Sequence, residues 1–474
     1  MKPHLLTLVV AVIAGVMLVT LTSFADTSPT PSAAPTRVAK APAITAPDAP
    51  QPARPKASPS TVALPRGLKV AQLAYPVPTT SAASALLQAA DDCASYGDWE
   101  GYRQYLRQIA SSCPGTKEAG LALGLLADEY ASLGDGADAD ACRGQLAGYA
   151  DAEVQAFAVL ARTAYPAQRA GQNDLYQQTL SGYAEKWKGT LSGGRAGLSL
   201  GDYYRFTAED YPKAIATYQG LASQAAGTLV GDEALVSLAE TLDWSVPSQP
   251  EPAKVVFESA LTSVRFPGLQ VRCLVGLSDL LLRTSVESQA IRILTHVITA
   301  YPSHPAVAHA YALRSTAAER QGDWELAAGD ARAFLARPMP GTYNIARAHS
   351  VVARDAFRKG DLAGAEAEYG TLAQLVEQEK HTAEFRGEAQ AGLAACALER
   401  GNLASALQLY QKAAGVELTA AKKAGYLFQA ASVAQQLNNA VARAQIVAQM
   451  AVEVPGSNLT AQLAGDQALP TPGL

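Results

Sequence analysis

His296, His304 and His309 lie close together in the chain, and three imidazoles can share a zinc or copper ion. Zinc sites draw their ligands from short, fixed spacings that include cysteine or a carboxylate. None accompanies these histidines: His304 sits between Ser303 and Pro305 in a turn-like stretch, and the other two belong to different helical segments. No metal is expected. The run Gly134-Asp135-Gly136-Ala137-Asp138-Ala139 spells G-x-G-x-x-A, but that fingerprint grips a dinucleotide only where a strand enters it. Here a helical pattern precedes it, so it reads as a turn. Asp135, Asp138 and Asp140 lack the alternate-residue oxygens of a calcium loop and read as a helix start. His349 and His381 have no serine or cysteine in a nucleophile-elbow setting. The abundant acidic residues single out no acid–base pair. No catalytic residue and no cofactor is expected.

The elements that must position any site divide the chain in three. Leu5 to Ala25 is uncharged for twenty-one residues and follows Lys2 and His4. This segment is expected to meet a membrane, since about 20 helical residues cross a bilayer. It ends Ser23-Phe24-Ala25, which suits cleavage before Asp26; retention as an anchor is the alternative. Either way the chain beyond Ala25 is expected to be exported. From Asp26 to Thr80, 12 of the 27 prolines fall in 55 residues. Such a stretch is expected to be a disordered tether. The 474-residue chain carries net charge -5, with 49% apolar and 7% aromatic residues. That balance permits a large core of small aliphatic side chains and argues against a nucleic-acid partner, which demands a cationic surface.

From residue 81 to 456 apolar residues recur at three and four spacing, the period of amphipathic helices. Superimposed on it is a longer repeat: a glycine or polar turn, five residues later a small or apolar residue, four later an aromatic or leucine. Gly97, Tyr102 and Leu106 open the series; Gly360, Ala365 and Tyr369, then Gly401, Ala406 and Tyr410, continue it. The slots at 102, 139, 176, 214, 253, 290, 327, 365, 406 and 443 stand 37 to 41 residues apart. Two antiparallel helices cannot bury both apolar stripes alone, so stacking must supply the missing partner. Gly322 and Gly360 are expected to end first helices in the left-handed conformation, and Asp323 and Asp361 to cap the second. A disulfide joining Cys113 and Cys142 on adjacent second helices is conceivable in an oxidising compartment.

The pattern resembles the tetratricopeptide repeat, with a period about three residues longer than that family's. Ala214 to Tyr218, Ala253 to Phe257, Ala365 to Tyr369 and Ala406 to Tyr410 match its second helix; Leu123, Leu126, Ala127 and Tyr130 match its first. The resemblance implies an all-α fold: an α-solenoid of about ten antiparallel helix pairs wound as a right-handed superhelix. The expected organisation is a signal peptide or anchor over 1–25, a linker over 26–80, the repeats over 81–456 and a disordered tail over 457–474. It also implies that first helices line a concave face that receives a peptide or protein. That places His309, Arg347, Arg354 and Glu388 among groove-facing positions of the seventh to ninth repeats. Arg347 and Arg354 share a face one seven-residue step apart and can clamp a carboxylate. The asparagines of the family's chaperone-type clamp are missing. The function expected is a non-enzymatic interaction scaffold of the cell envelope, periplasmic or extracellular, with a protein partner and residues 5–25 as a membrane tether. An accessory or enzyme acting on wall polymer, and a structural spacer, are the alternatives.

Overall fold

The computed structural model describes residues 82–337 and 342–467; the expected membrane segment and proline-rich linker lie outside them. Every described element is helical, and the chain divides between Pro340 and Gly341 into two compact units. Unit 1 contains seven helical hairpins. They are α1 (Ala82–Ser95) with α2 (Trp99–Ser112), α3 (Lys117–Leu133) with α4 (Gly136–Leu146), α5 (Ala152–Arg169) with α6 (Asn173–Lys186), and α7 (Leu191–Asp202) with α8 (Tyr211–Gln224). Then follow α9 (Leu229–Trp244) with α10 (Pro250–Ser263), α11 (Pro267–Arg283) with α12 (Glu287–Ala300), and α13 (Ala306–Arg320) with α14 (Trp324–Leu335). Unit 2 contains α15 (Thr342–Arg358) with α16 (Leu362–Gln378), α17 (Arg386–Glu399) with α18 (Leu403–Val416), α19 (Ala420–Gln436) with α20 (Ala440–Glu453), and a last helix α21 (Asn458–Gln467). Among the described residues no helix is long and apolar enough to cross a membrane.

The turn chemistry expected from sequence is visible at four hairpin bends, where a left-handed glycine precedes a capping aspartate, whereas the helices that follow Gln172, Gln249 and Val286 start without a side-chain cap. Gly322 and Gly360 take φ of 77° and 78°, a region that a Cβ disfavours. Asp323 and Asp361 then accept hydrogen bonds from the backbone N–H groups of Leu326 and Gly364, capping α14 and α16. Gly134 and Asp135 do the same before α4, so the G-x-G-x-x-A run is a capped turn.

All ten slots fall on second helices, and from Ala139 to Ala406 each is buried. Tyr218 and Phe257 are fully buried. Each is worth roughly 2–3 kcal/mol in apolar area removed from water. The first helix supplies the space: a Cβ at Gly276 would stand 2.7 Å from the Phe257 ring, and one at Gly392 would collide with the Tyr369 ring. First helices also touch the first helices of the next hairpins, as in α9 on α11 and α15 on α17, and the buried apolar side chains form one cluster from Leu87 to Ala317 in unit 1 and two in unit 2.

Past Gly456 the chain continues as α21 instead of the tail expected over 457–474. Leu463 is buried against the last hairpin and the Thr460 hydroxyl bonds the Val454 carbonyl, so this helix covers an apolar face that would otherwise end in water. The five cysteines carry free thiols, Cys113 half-buried and the others buried, so the conceivable Cys113–Cys142 bridge is not formed.

Candidate protein-interaction surface

The first helices of unit 1 carry paired polar residues seven positions apart, hence two turns apart on one face. α7 bears Arg195 and Asp202, α9 bears Glu233 and Glu240, and α11 bears Arg272 and Asp279. The first member of each pair alternates in sign from helix to helix while the second is acidic on all three, and α9 and α11 meet through Glu240 and Arg272. Glu240 receives two hydrogen bonds of 2.7 Å from Arg272 and one of 2.9 Å from Arg205. Arg195 forks onto both oxygens of Asp91 on α1, each at 2.7 Å. Planar two-point pairing of this kind is the strong form of a charged hydrogen bond.

Electrostatics differ sharply along this row. Burial alone would raise the Glu240 carboxyl, but Arg272 and Arg205 overcome it and hold it at about 2. Glu233 lacks that support. Its Oε2 is buried without a hydrogen-bond partner, and burial together with the Asp91 carboxylate pushes it well above the usual range, against the pull of Arg195 and Arg272. Burial likewise raises Asp279 to about 7.

His309, on α13, belongs to the same interior. Its ring centroid lies 6.3 Å from that of Tyr96, and desolvation lowers the imidazole to about 4 although a strip of it stays accessible. His304 also meets Tyr96, edge on at 6.2 Å. His296 packs instead on Tyr301 from α12. Among the described residues no three His, Cys, Asp or Glu side chains converge as metal ligands.

In unit 2, α15 carries Arg347 and Arg354 and α17 carries Glu388. The structure brings Arg354 and Glu388 together at 3.3 Å, with the Ser350 hydroxyl also donating to Glu388. The carboxylate beside Arg354 is thus supplied from the next hairpin. Arg347 lies beside the Tyr343 phenol, which donates to Glu384 at 2.7 Å, and His349 Nδ1 meets Glu368 at 2.6 Å. Arg354 and Glu388 keep 31% and 24% of their side-chain surface, so an incoming polar chain can reach both.

Sequence reasoning named His309, Arg347 and Glu388 but missed the equivalent Arg195, Glu233 and Arg272. Eighteen residues separate His309 from its slot Ala327, and the same step back from Ala290 reaches Arg272. From Ala253 and Ala214 it reaches Leu235 and Ala196 instead. A π turn at Tyr203–Thr207 and the long bend from Ser245 to Gln249 insert one or two residues there.

An open groove of about 640 Å³ in unit 1 is lined by Ile215, Leu242, Pro252, Val255 and Val256, with Glu251 the one acidic side chain among its lining residues.

No protein-family profile matches the sequence, and no curated protein does. Among solved structures, the chain is similar to Pseudomonas aeruginosa PilF at 13% identity, covering 50% of this chain and 97% of that one, with TM-score 0.38. A tetratricopeptide repeat protein from Parabacteroides merdae matches at 12% identity over 57% and 97%, TM-score 0.37. Yeast Tom70 matches at 12% identity over 81% of each chain, TM-score 0.33.

Proposed function

We propose that this chain is a non-enzymatic interaction scaffold, exported and held in the cell envelope through residues 5–25, that receives a protein or peptide partner on the first-helix row of unit 2. The observation carrying this reading is the partly accessible polar row of α15 and α17, in which the paired Arg354 and Glu388 keep 31% and 24% of their side-chain surface on adjacent helices. Arg354 offers a guanidinium to a partner carboxylate, and Glu388 an acceptor to a partner N–H. Stacked hairpins hold such groups in fixed register over several helices, the geometry an extended partner needs.

The uncharged run from Leu5 to Ala25 and the proline-rich stretch after it support the exported, tethered setting. A second reading, a spacer that sets distance, is favoured for unit 1 by the pairing of its own inner row.

Crosslinking in intact envelopes, followed by purification, tests the scaffold reading. Recovery of one stable protein partner, lost with Arg347→Glu and Arg354→Glu, is expected. A chain that crosslinks to nothing, or whose partner is indifferent to both substitutions, contradicts it.

A further inference from the structure

The first hairpin of unit 1 reaches far beyond its neighbours in sequence. Asp91 on α1 takes the Arg195 fork from 104 residues away. Asp92 lies 3.2 Å from His304 Nε2, 212 residues away. His304 Nδ1 accepts the Ala306 N–H, so Nε2 is the nitrogen that carries hydrogen toward Asp92. Tyr96, in the turn after α1, packs on His304 and His309, and α1 touches α11 directly. The approach at α11 is close: a Cβ at Gly268 would collide with the side chains of Asp92 and Gln88.

This seam differs in kind from the rest of the core. α1 buries Leu87 and Ala90 in the apolar core. Toward α7, α11 and the turn before α13 it also presents Asp91 and Asp92 to Arg195 and His304, with Gln88 and Tyr96 beside them. Gln88 Nε2 and Gln270 Oε1 are buried on these helices with no hydrogen-bond partner. Asp91, Arg195 and His304 each keep 14–16% of their side-chain surface while Asp92 keeps 6%, so water reaches the Asp91–Arg195 pair and the imidazole side of the other. A polar, part-wet, incompletely satisfied contact resembles the interfaces between separable bodies more than a core.

We propose that the first hairpin is a clasp: by joining Asp91 to Arg195 and Asp92 to His304, it holds the inner row of unit 1 shut. Releasing these two contacts uncovers Arg195, Glu233, Arg272 and His309 while the hairpins stay folded. The seven hairpins then act as a spring with a self-occupied inner face, closed to a partner until the clasp opens. The proposal stands apart from which partner the chain takes, because opening is read on the chain alone.

The experiment is hydrogen exchange by mass spectrometry with small-angle scattering on the full chain, comparing wild type with D91R, R195D, the D91R/R195D swap and G268V. Exchange should rise ten-fold or more in α1 and at the facing turns of α7, α11 and α13 for both single charge reversals and for G268V. The radius of gyration should increase and helical circular dichroism should be retained. The swap should restore protection. Unchanged exchange would show that these contacts hold nothing shut. Loss of protection throughout unit 1, or failure to fold, would show that the seam is core and that no clasp exists.

Discussion

At the scale of single residues, the inner row of unit 1 contains groups whose environments pull in opposite directions. Glu233 has its carboxyl raised by burial, so folding retains a proton that the unfolded chain releases once pH exceeds the ordinary carboxylate range. Its contribution is therefore fully present at low pH and is lost as pH climbs toward the raised value. His309 has its imidazole lowered to about 4, so the folded chain refuses a proton that the unfolded chain takes up below the usual value of 6.5. Its contribution is present above that value and is lost as pH falls toward 4. Urea melts at several pH values should show that Glu233→Gln flattens the decline on the alkaline side and His309→Asn flattens the decline on the acid side. Both variants with the wild-type pH profile would contradict these assignments. A larger effect is expected at Arg272. Removing it as Arg272→Met leaves Glu240 buried with only Arg205, and breaking such a pair costs about 3–5 kcal/mol. Adding Glu240→Gln should recover part of that loss, since the uncompensated charge is gone.

At the scale of the helix, stacking depends on where glycines yield room to aromatic rings. Gly392 on α17 lies under the Tyr369 ring, whereas Gly425 on α19 has nothing within 4 Å of a Cβ position. Gly392→Ala should destabilise unit 2 by about 1–3 kcal/mol through overpacking. Gly425→Ala should stabilise it by up to about 1 kcal/mol, because alanine is the better helix former. Thermal melts of the two variants check both signs, and equal shifts would contradict the packing account. Much at this scale was legible in the sequence. The glycine and aspartate of four bends announce themselves locally, and a slot buried every 37 to 41 residues from Ala139 to Ala406 leaves a periodic trace. What could not be read were the partners of the polar inner positions. Arg354 pairs with Glu388 across one hairpin step, and both were named, yet nothing local says that they meet. Helix α21 was hidden because ten residues with two inward leucines, Leu459 and Leu463, fall below the length at which periodicity speaks.

At the scale of the whole chain, the two units spend the same repeat position differently. In unit 1 Arg272 pairs with Glu240 between successive first helices and Arg195 pairs with Asp91 of α1, which only the curvature of the stack brings near. Curvature accumulates from small rotations at every hairpin and leaves no mark in the sequence of any one of them. In unit 2 the corresponding row keeps part of its surface in water. The most direct test places a photo-crosslinking residue at Ala395, which shares an α17 face with Glu388, or at Glu233 in the inner row of unit 1, within the full chain in intact envelopes. The scaffold account predicts a protein adduct from position 395 and none from position 233; adducts from 233 alone, or from neither, would contradict it.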